Sequence, residues 1–463
     1  MFIPSQKYIP NIATSVLMLV LLAGCSTQPA IAPLSTTAPP TWSINPSQKQ
    51  DRKPIPTTAW WRDFGNAELT ALVESALLAN SDIRIAAARV AQARAIVGST
   101  DADLSPQLGL NAGLRRGHDS SADPKTDLSH AGFRASWEPD FFGDKGLASL
   151  AAERDFEGAK LAHEAMQVAV AAEVMTTYFE AQSLAEREDV ARDVVATLER
   201  QIEVAQRRFH AGQIGKLDID RLTVELGLER ATTTQLRGEL DVRIRQLAVM
   251  LGEAKPRTNL TFPINTTTSA EMPTVSLPIE LLERRPDVGG SARAVEAAIA
   301  RLGVAKRDLY PHIALDWSGR KERLSTDGSS ASPTTVVGYG ISLSLPIFDG
   351  GRIRANIDIH EAKAQEAMLV YEKAMLNALA DAETAMVQLS SAHATVSNLE
   401  QVQAAGADAA FRSERLFGAG LVDLNTVLDA RRSYFKARDG LIQGVAAQRA
   451  AAVALRRAFA GKV

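Results

Sequence analysis

Two stretches of the chain change rhythm at a proline, and this change limits the possible folds more than any other feature. From Val336 to Leu345 large and tiny residues alternate: Val337, Tyr339, Ile341, Leu343 and Leu345 on one face, Gly338, Gly340, Ser342 and Ser344 on the other. A period of two is that of a strand. Pro346 then removes a ladder donor, Gly350 and Gly351 loosen a turn, and no later proline interrupts a helical spacing. The same switch occurs earlier, where Phe133-Arg134-Ala135-Ser136-Trp137 leads into Glu138-Pro139-Asp140-Phe141-Phe142-Gly143. Pro139 answers Pro346, Phe141 answers Phe348, and Gly143 answers Gly350.

This echo is part of a longer repeat. Asp82-Ile83 matches Asp287-Val288, Gly98 matches Gly303, Asp103-Leu104 matches Asp308-Leu309, and Pro106 matches Pro311, all at one offset. Phe209-His210-Ala211-Gly212 matches Phe417-Gly418-Ala419-Gly420 at nearly the same one. A period this long is two copies of one large unit rather than a short-repeat solenoid. The expected organisation is a first repeat at 61–251, a Pro/Thr-rich linker at 252–280 and a second repeat at 281–463.

Each repeat is expected to carry a strand pair, within 107–138 and within 311–345, interrupted by polar loops at Arg115–Asp127 and Gly319–Thr335. A helix is expected over Glu68–Thr100, broken at Asn80-Ser81-Asp82, and another over Gly143–His210. At a rise of about 1.5 Å per residue the latter would be on the order of 100 Å long. It breaks at Ala211-Gly212-Gln213-Ile214-Gly215, and a further helix runs from Leu217 to Leu251. In the second repeat Asp287 is the expected helix cap, and the last long helix breaks at Gly418-Ala419-Gly420 before resuming to the end. Glycine in a helix costs about 1 kcal/mol relative to alanine, so breaks at Gly212 and Gly420, equivalent positions, mark required turns.

The N-terminus carries Lys7, an apolar run from Ile12 to Ala23, and then Leu22-Ala23-Gly24-Cys25. The run is short for a membrane span, and residues 1–24 read as a signal peptide. Leu-Ala-Gly-Cys resembles the bacterial lipoprotein processing site, in which the cysteine becomes the acylated first residue. Cys25 is the chain's single cysteine, so no internal disulfide can form. Ser26 follows it in place of the aspartate that retains lipoproteins at the inner membrane, which favours the outer membrane. Residues 25–60, rich in Pro, Thr and Ser, read as a tether or an extended wrap.

The formal charge of -3, from 51 Lys and Arg against 54 Asp and Glu, offers no basic surface for nucleic acid. Aromatic residues are 5% of the chain while alanine is abundant, which fits long helices packed closely. His163-Glu164 and His360-Glu361 lack the second histidine of a zinc-protease helix, so no metal site is expected. No phosphate-binding loop with a lysine is present, and no nucleophile with a base can be nominated. The chain therefore reads as neither an ATPase nor another enzyme, and no cofactor is expected beyond a covalent lipid on Cys25.

Four amphipathic strands of about ten residues suit a tilted bilayer crossing, but four cannot close, and an open edge in lipid leaves backbone groups unpaired. Closure must come from other chains. Two copies would give eight strands with a filled interior; three would give twelve and room for a lumen, which the small inward residues favour. The attached helices would continue that wall. A structural tether between outer membrane and cell wall would need no lumen.

Leu281-Leu282-Glu283-Arg284-Arg285-Pro286-Asp287, Gly303-Val304-Ala305-Lys306, Leu345-Pro346-Ile347-Phe348-Asp349-Gly350-Gly351-Arg352 and Ala419-Gly420 through Val427-Leu428-Asp429-Ala430-Arg431-Arg432 resemble the outer membrane factor (TolC-like) family. The likeness is to its NodT-type lipoprotein branch. It implies a mixed α and β membrane protein, a tandem-repeat efflux duct whose four strands per chain form a 12-stranded β-barrel in a homotrimer, continuous with a long periplasmic α-helical barrel. It implies outer membrane lipids, a periplasmic adaptor protein and an inner-membrane transporter of the resistance-nodulation-division (RND) class as partners. The adaptor would meet the tips at Gly212 and Gly420. Asp429 and Arg432, three apart on one helix face, would line the periplasmic constriction, where Asn425 departs from the apolar residue common in related ducts. Type I protein secretion and a non-conducting structural lipoprotein are the alternative roles.

Overall fold

The computed structural model describes residues 39–43, 59–117, 126–257, 260–262, 277–326, 329–330 and 332–460; Cys25 and residues 1–24 lie outside these. After a 3-10 turn at Trp60–Phe64 come helices α1 (Ala67–Ala79) and α2 (Ser81–Ala102), then strands β1 (Gln107–Gly117) and β2 (Thr126–Trp137). Helices α3 (Asp144–His210) and α4 (Lys216–Met250) complete the first half. The second half follows the same order: α5 (Pro278–Arg284), α6 (Pro286–Arg307), β3 (His312–Thr326), the two-residue β4 (Ser329–Ser330), β5 (Thr334–Ser344), α7 (Arg352–Gly418) and α8 (Leu424–Phe459). The duplication shows in the lengths. Helices α2 and α6 each have 22 residues, α3 and α7 each have 67, and α4 and α8 have 35 and 36. No described helix is long and apolar enough to cross a membrane.

The chain divides into two compact units, each drawing on both halves. One contains Gln92–Phe156 and Arg293–Leu369 and holds the sheet. Its long strands lie antiparallel in the order β1-β2-β3-β5, with β4 paired to the far end of β3. The register places Leu110 beside Phe133, Ala135 between Leu108 and Trp317, and Trp317 beside Tyr339. It also places Leu315 between Trp137 and Ile341, and Ile313 beside Leu343. Each pair lies on the face that period-two alternation assigned to large side chains, so the sheet has one continuous apolar face.

The strands run further than their polar composition implied. Arg115, Arg116 and Asp127 belong to paired strand, as do Gly319–Thr326 and Thr334-Thr335. A ladder needs only backbone groups, and the polar side chains find cross-strand or same-face partners. Arg116 donates to both oxygens of Asp127 at 2.7 and 2.9 Å, and Arg320 to Glu322 at 2.9 Å. Within the sheet Gly132 is required by close approach: a Cβ there would collide with the Gly319 carbonyl oxygen and the Arg320 backbone.

In this unit the two 67-residue helices start from aspartates. Asp140 accepts the N–H groups of Lys145 at 3.3 Å and Gly146 at 2.8 Å; Asp349 accepts those of Gly351 at 2.9 Å and Ile353 at 2.7 Å. Burial opposes ionisation of Asp140, but the bonds from Gly146, Asp144 and Lys145 hold its pKa below the usual carboxylate range. Helix α6 packs beside the start of α3 through ion pairs of Arg301 with Asp155 and of Arg154 with Glu296.

The second unit contains the described residues up to Ala91, Glu157–Ala292 and Val370–Val463. Its core joins Trp60, Leu69 and Leu72 to Met175 and Tyr178 of α3, Met386 and Leu389 of α7, and Leu455 and Phe459 of α8. Asn66 caps α1 by accepting the Leu69 N–H at 3.0 Å and donates to the Tyr178 hydroxyl at 3.0 Å. The expected break between the first two helices is present. Asn80 makes it, accepting the Ile83 N–H and donating to the Met250 carbonyl at 2.9 Å. Trp42 lies edge-on to Phe459 at 5.7 Å, so residues 39–43 wrap on this unit.

Asp287 is not a cap. Pro286 occupies the first helical position, which its fixed φ and missing N–H suit, so Asp287 falls inside the first turn. There Arg285 grips both its oxygens, at 2.9 and 2.6 Å, and also reaches Asp381 at 3.2 Å. Burial pushes the Asp287 pKa up, but the Arg285 bonds outweigh it and the pKa is lowered.

Candidate functional site

The tip residues singled out from sequence lie at the ends of two helical hairpins, α3–α4 and α7–α8, whose tips belong to the second unit. Gly212 and Gly420 hold left-handed φ values of 70° and 73°. Gly212 donates to the Phe209 carbonyl and Gln213 to that of Arg208, each at 2.9 Å; Gly420 and Leu421 bond to Phe417 and Leu416 in the same pattern. Both helices thus end in the same glycine-terminated motif. A Cβ at either glycine would touch nothing within 4 Å, so the turn conformation, not space, demands glycine.

The two hairpins then diverge. Helix α8 is capped by Asp423, which accepts the Thr426 hydroxyl at 2.6 Å and its N–H at 2.9 Å, and these bonds lower the Asp423 pKa. The equivalent cap of α4 is Gly215, with no side chain to bond.

Asp429 and Arg432 share a face, as their spacing requires, and pair at 3.2 Å with both side chains exposed. Arg432 also donates to Glu225 of α4 at 3.2 Å, so it bridges the hairpins of the two repeats. A second bridge runs the other way: Arg221 of α4 donates to Asn425 of α8 at 2.8 Å. The departure at Asn425 therefore supplies a hydrogen-bond acceptor. Arg431 ties α8 back to Glu414 of α7 at 2.5 Å. Sequence reasoning missed Glu225 and the Arg221–Asn425 bond. The available signal was Arg221 and Glu225, four apart on α4, against Asn425, Asp429 and Arg432 at helical spacing on α8.

Beneath these polar bridges Val194, Leu198, Ala205, Leu222, Leu226 and Leu428 form a buried seam. Beside it a groove of about 640 Å³ is lined by Gln201, Ile214, Phe417, Leu424 and Arg431 among others. Arg208 lies over the Phe417 ring at 5.0 Å. One turn along α4 from Glu225, Glu229 sits beside the seam. Burial, then the charges of Glu225 and Asp439, push its pKa up. Asp439 itself is held by Arg187 at 2.6 Å.

The model of the family described as outer membrane efflux protein matches residues 72–253 and 277–461. The chain is 29% identical to the pyoverdine export outer membrane protein OpmQ of Pseudomonas aeruginosa, over 96% of this chain and 95% of that one. It is 27% identical to the cation efflux system protein CusC of Escherichia coli, over 91% and 93%. Among solved structures, the outer-membrane channel OprN superposes with a TM-score of 0.79 at 27% identity, covering 94% of this chain and 99% of that one. CusC superposes at 0.82 with 24% identity, a likeness of fold. The two matched segments, the repeated order of helices and strands and the glycine-terminated hairpins agree: the chain belongs to the outer membrane efflux protein family.

Proposed function

We propose that three copies close into one passive exit duct, a homotrimer with a 12-stranded barrel and a helical barrel beyond it. The observation that carries this reading is the sheet. It has one apolar face, and its outer strands β1 and β5 have no strand beyond them among the described residues. Backbone groups left unpaired in lipid cost several kcal/mol each, so the edges of neighbouring copies must meet. The opposite face carries Gly338, Gly340, Ser342 and Ser344, small groups that leave room for a lumen.

In this reading Cys25 carries the lipid anchor, the tips at Gly212 and Gly420 meet a periplasmic adaptor, and an RND transporter of the inner membrane drives export. Asp429 and Arg432 hold the resting constriction through the Glu225 bridge. The protein conducts and does not catalyse. The relatives' names, pyoverdine export and cation efflux, favour small solutes over proteins as cargo. Purified protein in planar bilayers tests the duct: discrete conductance steps are expected, and a well-folded preparation that never conducts would leave the structural lipoprotein as the better reading.

A further inference from the structure

The turn between β5 and α7 leaves unusual groups exposed. Ile347 and Phe348, at 93% and 92%, are the most exposed large hydrophobic residues among the described residues. They follow, across Pro346, Leu343 of the apolar sheet face and Leu345 just beyond the strand, both exposed in the single chain. Positive φ angles at Gly350 (67°) and Gly351 (90°) then fix the entry into α7. Its first turn contains Arg352 and Arg354 and no acid. This places cations at the helix end whose dipole disfavours them. Among the described residues neither guanidinium donates to a side chain. Asp349 commits its oxygens to the N–H groups of Gly351 and Ile353, and the charge of Arg352 supports its ionisation less than those bonds do.

The equivalent junction of the first repeat is built otherwise. There Lys145 turns inward, its ammonium donating to the carbonyls of Asp103 at 3.1 Å and Glu138 at 2.9 Å. Phe142 stacks on Tyr310 at 5.2 Å, leaving Phe141 as the exposed ring. The second repeat therefore presents two apolar side chains and two arginines without a side-chain acceptor among the described residues, where the first presents one exposed ring and a lysine bonded to backbone carbonyls.

We propose that Ile347–Arg354 is a phospholipid anchor, in which Ile347 and Phe348 enter the acyl–headgroup boundary of the periplasmic leaflet and Arg352 and Arg354 bind headgroup phosphate. The occupant is lipid because the patch continues the apolar face of the strands and ends in groups that suit phosphate oxygens. Arginine matches phosphate with two parallel N–H donors, and aromatic rings favour the membrane interface. The anchor rests on the barrel reading above, and the test separates the two.

The full-length protein is reconstituted in vesicles containing phosphatidylglycerol and phosphatidylcholine brominated along the acyl chain, and tryptophan quenching is read for Tyr339→Trp and Phe348→Trp over the wild-type signal. Quenching is expected in both, with the bromines nearest the headgroup most effective on Phe348→Trp. Native mass spectrometry then compares lipid retention, and Arg352→Gln with Arg354→Gln should weaken binding of phosphatidylglycerol by roughly tenfold. Quenching at Tyr339→Trp but not at Phe348→Trp would overturn the anchor while keeping the barrel, and would mean that water or a neighbouring copy covers the turn. Quenching at neither would overturn both. Unchanged phosphatidylglycerol binding in the arginine double variant would overturn the anchor as well.

Discussion

Arg432 is the residue on which the tip turns, because it is shared between Asp429 on its own helix and Glu225 on the other hairpin. An exposed pair contributes about 0 to 1 kcal/mol, so three such sites around an axis would restrain a closed tip by only a few kcal/mol, little enough for adaptor contacts to overcome. Replacing Asp429 and Arg432 together by alanine should raise resting conductance while leaving assembly intact; unchanged conductance at both low and high salt would remove the charged constriction. Glu229 makes a different prediction. Its folded-state pKa is raised, so the folded protein holds that proton more tightly than the unfolded chain and loses relative stability as pH rises through the folded value. Glu229→Gln should therefore melt at a higher temperature than wild type near pH 7, with the gain vanishing below the ordinary glutamate range. A gain independent of pH would assign the effect to packing. The sequence made the Asp429–Arg432 pair legible because helical spacing alone brings them together. Glu225 and Asn425 were not, since their roles depend on two hairpins far apart in the chain meeting face to face.

At the scale of elements the strands were the most legible part, because alternation fixes the face of every side chain once one is known. Their ends were not legible, since Arg116, Asp127, Arg320 and Glu322 look like loop residues yet pair on extended strands. The register separates glycines that sequence treats alike. Gly132→Ala would drive a methyl into the β3 backbone and should sharply reduce the yield of folded protein, whereas Gly340→Ala, with nothing within 4 Å of the new methyl, should be tolerated in the isolated fold. Equal yields of the two variants would show that the β2–β3 pairing is looser than described. The helix starts add a further test. Asp140 holds two N–H groups at the start of a 67-residue helix, and Asp140→Ala should cost about 1 kcal/mol, read as a lower denaturation midpoint. That role was hidden in the sequence because Asp140 precedes the first helical residue by several positions and acts across a bend. Asp287 shows the reverse, a residue in capping context that a preceding proline shifts into the helix.

At the scale of the whole molecule, the repeat of long helices around paired strands was readable from one offset between matched residues. The proposed number of copies rests on physics alone: a sheet that, among the described residues, has two open edges and one apolar face is incomplete in lipid. Three copies supply twelve strands, enough for a lumen, where two would supply eight and a filled interior. The number of chains per particle, counted by native mass measurement after detergent extraction from the outer membrane, tests this most directly. Three chains in one particle with no stable smaller form are expected; a stable, folded single chain or a two-chain particle would contradict the proposed assembly.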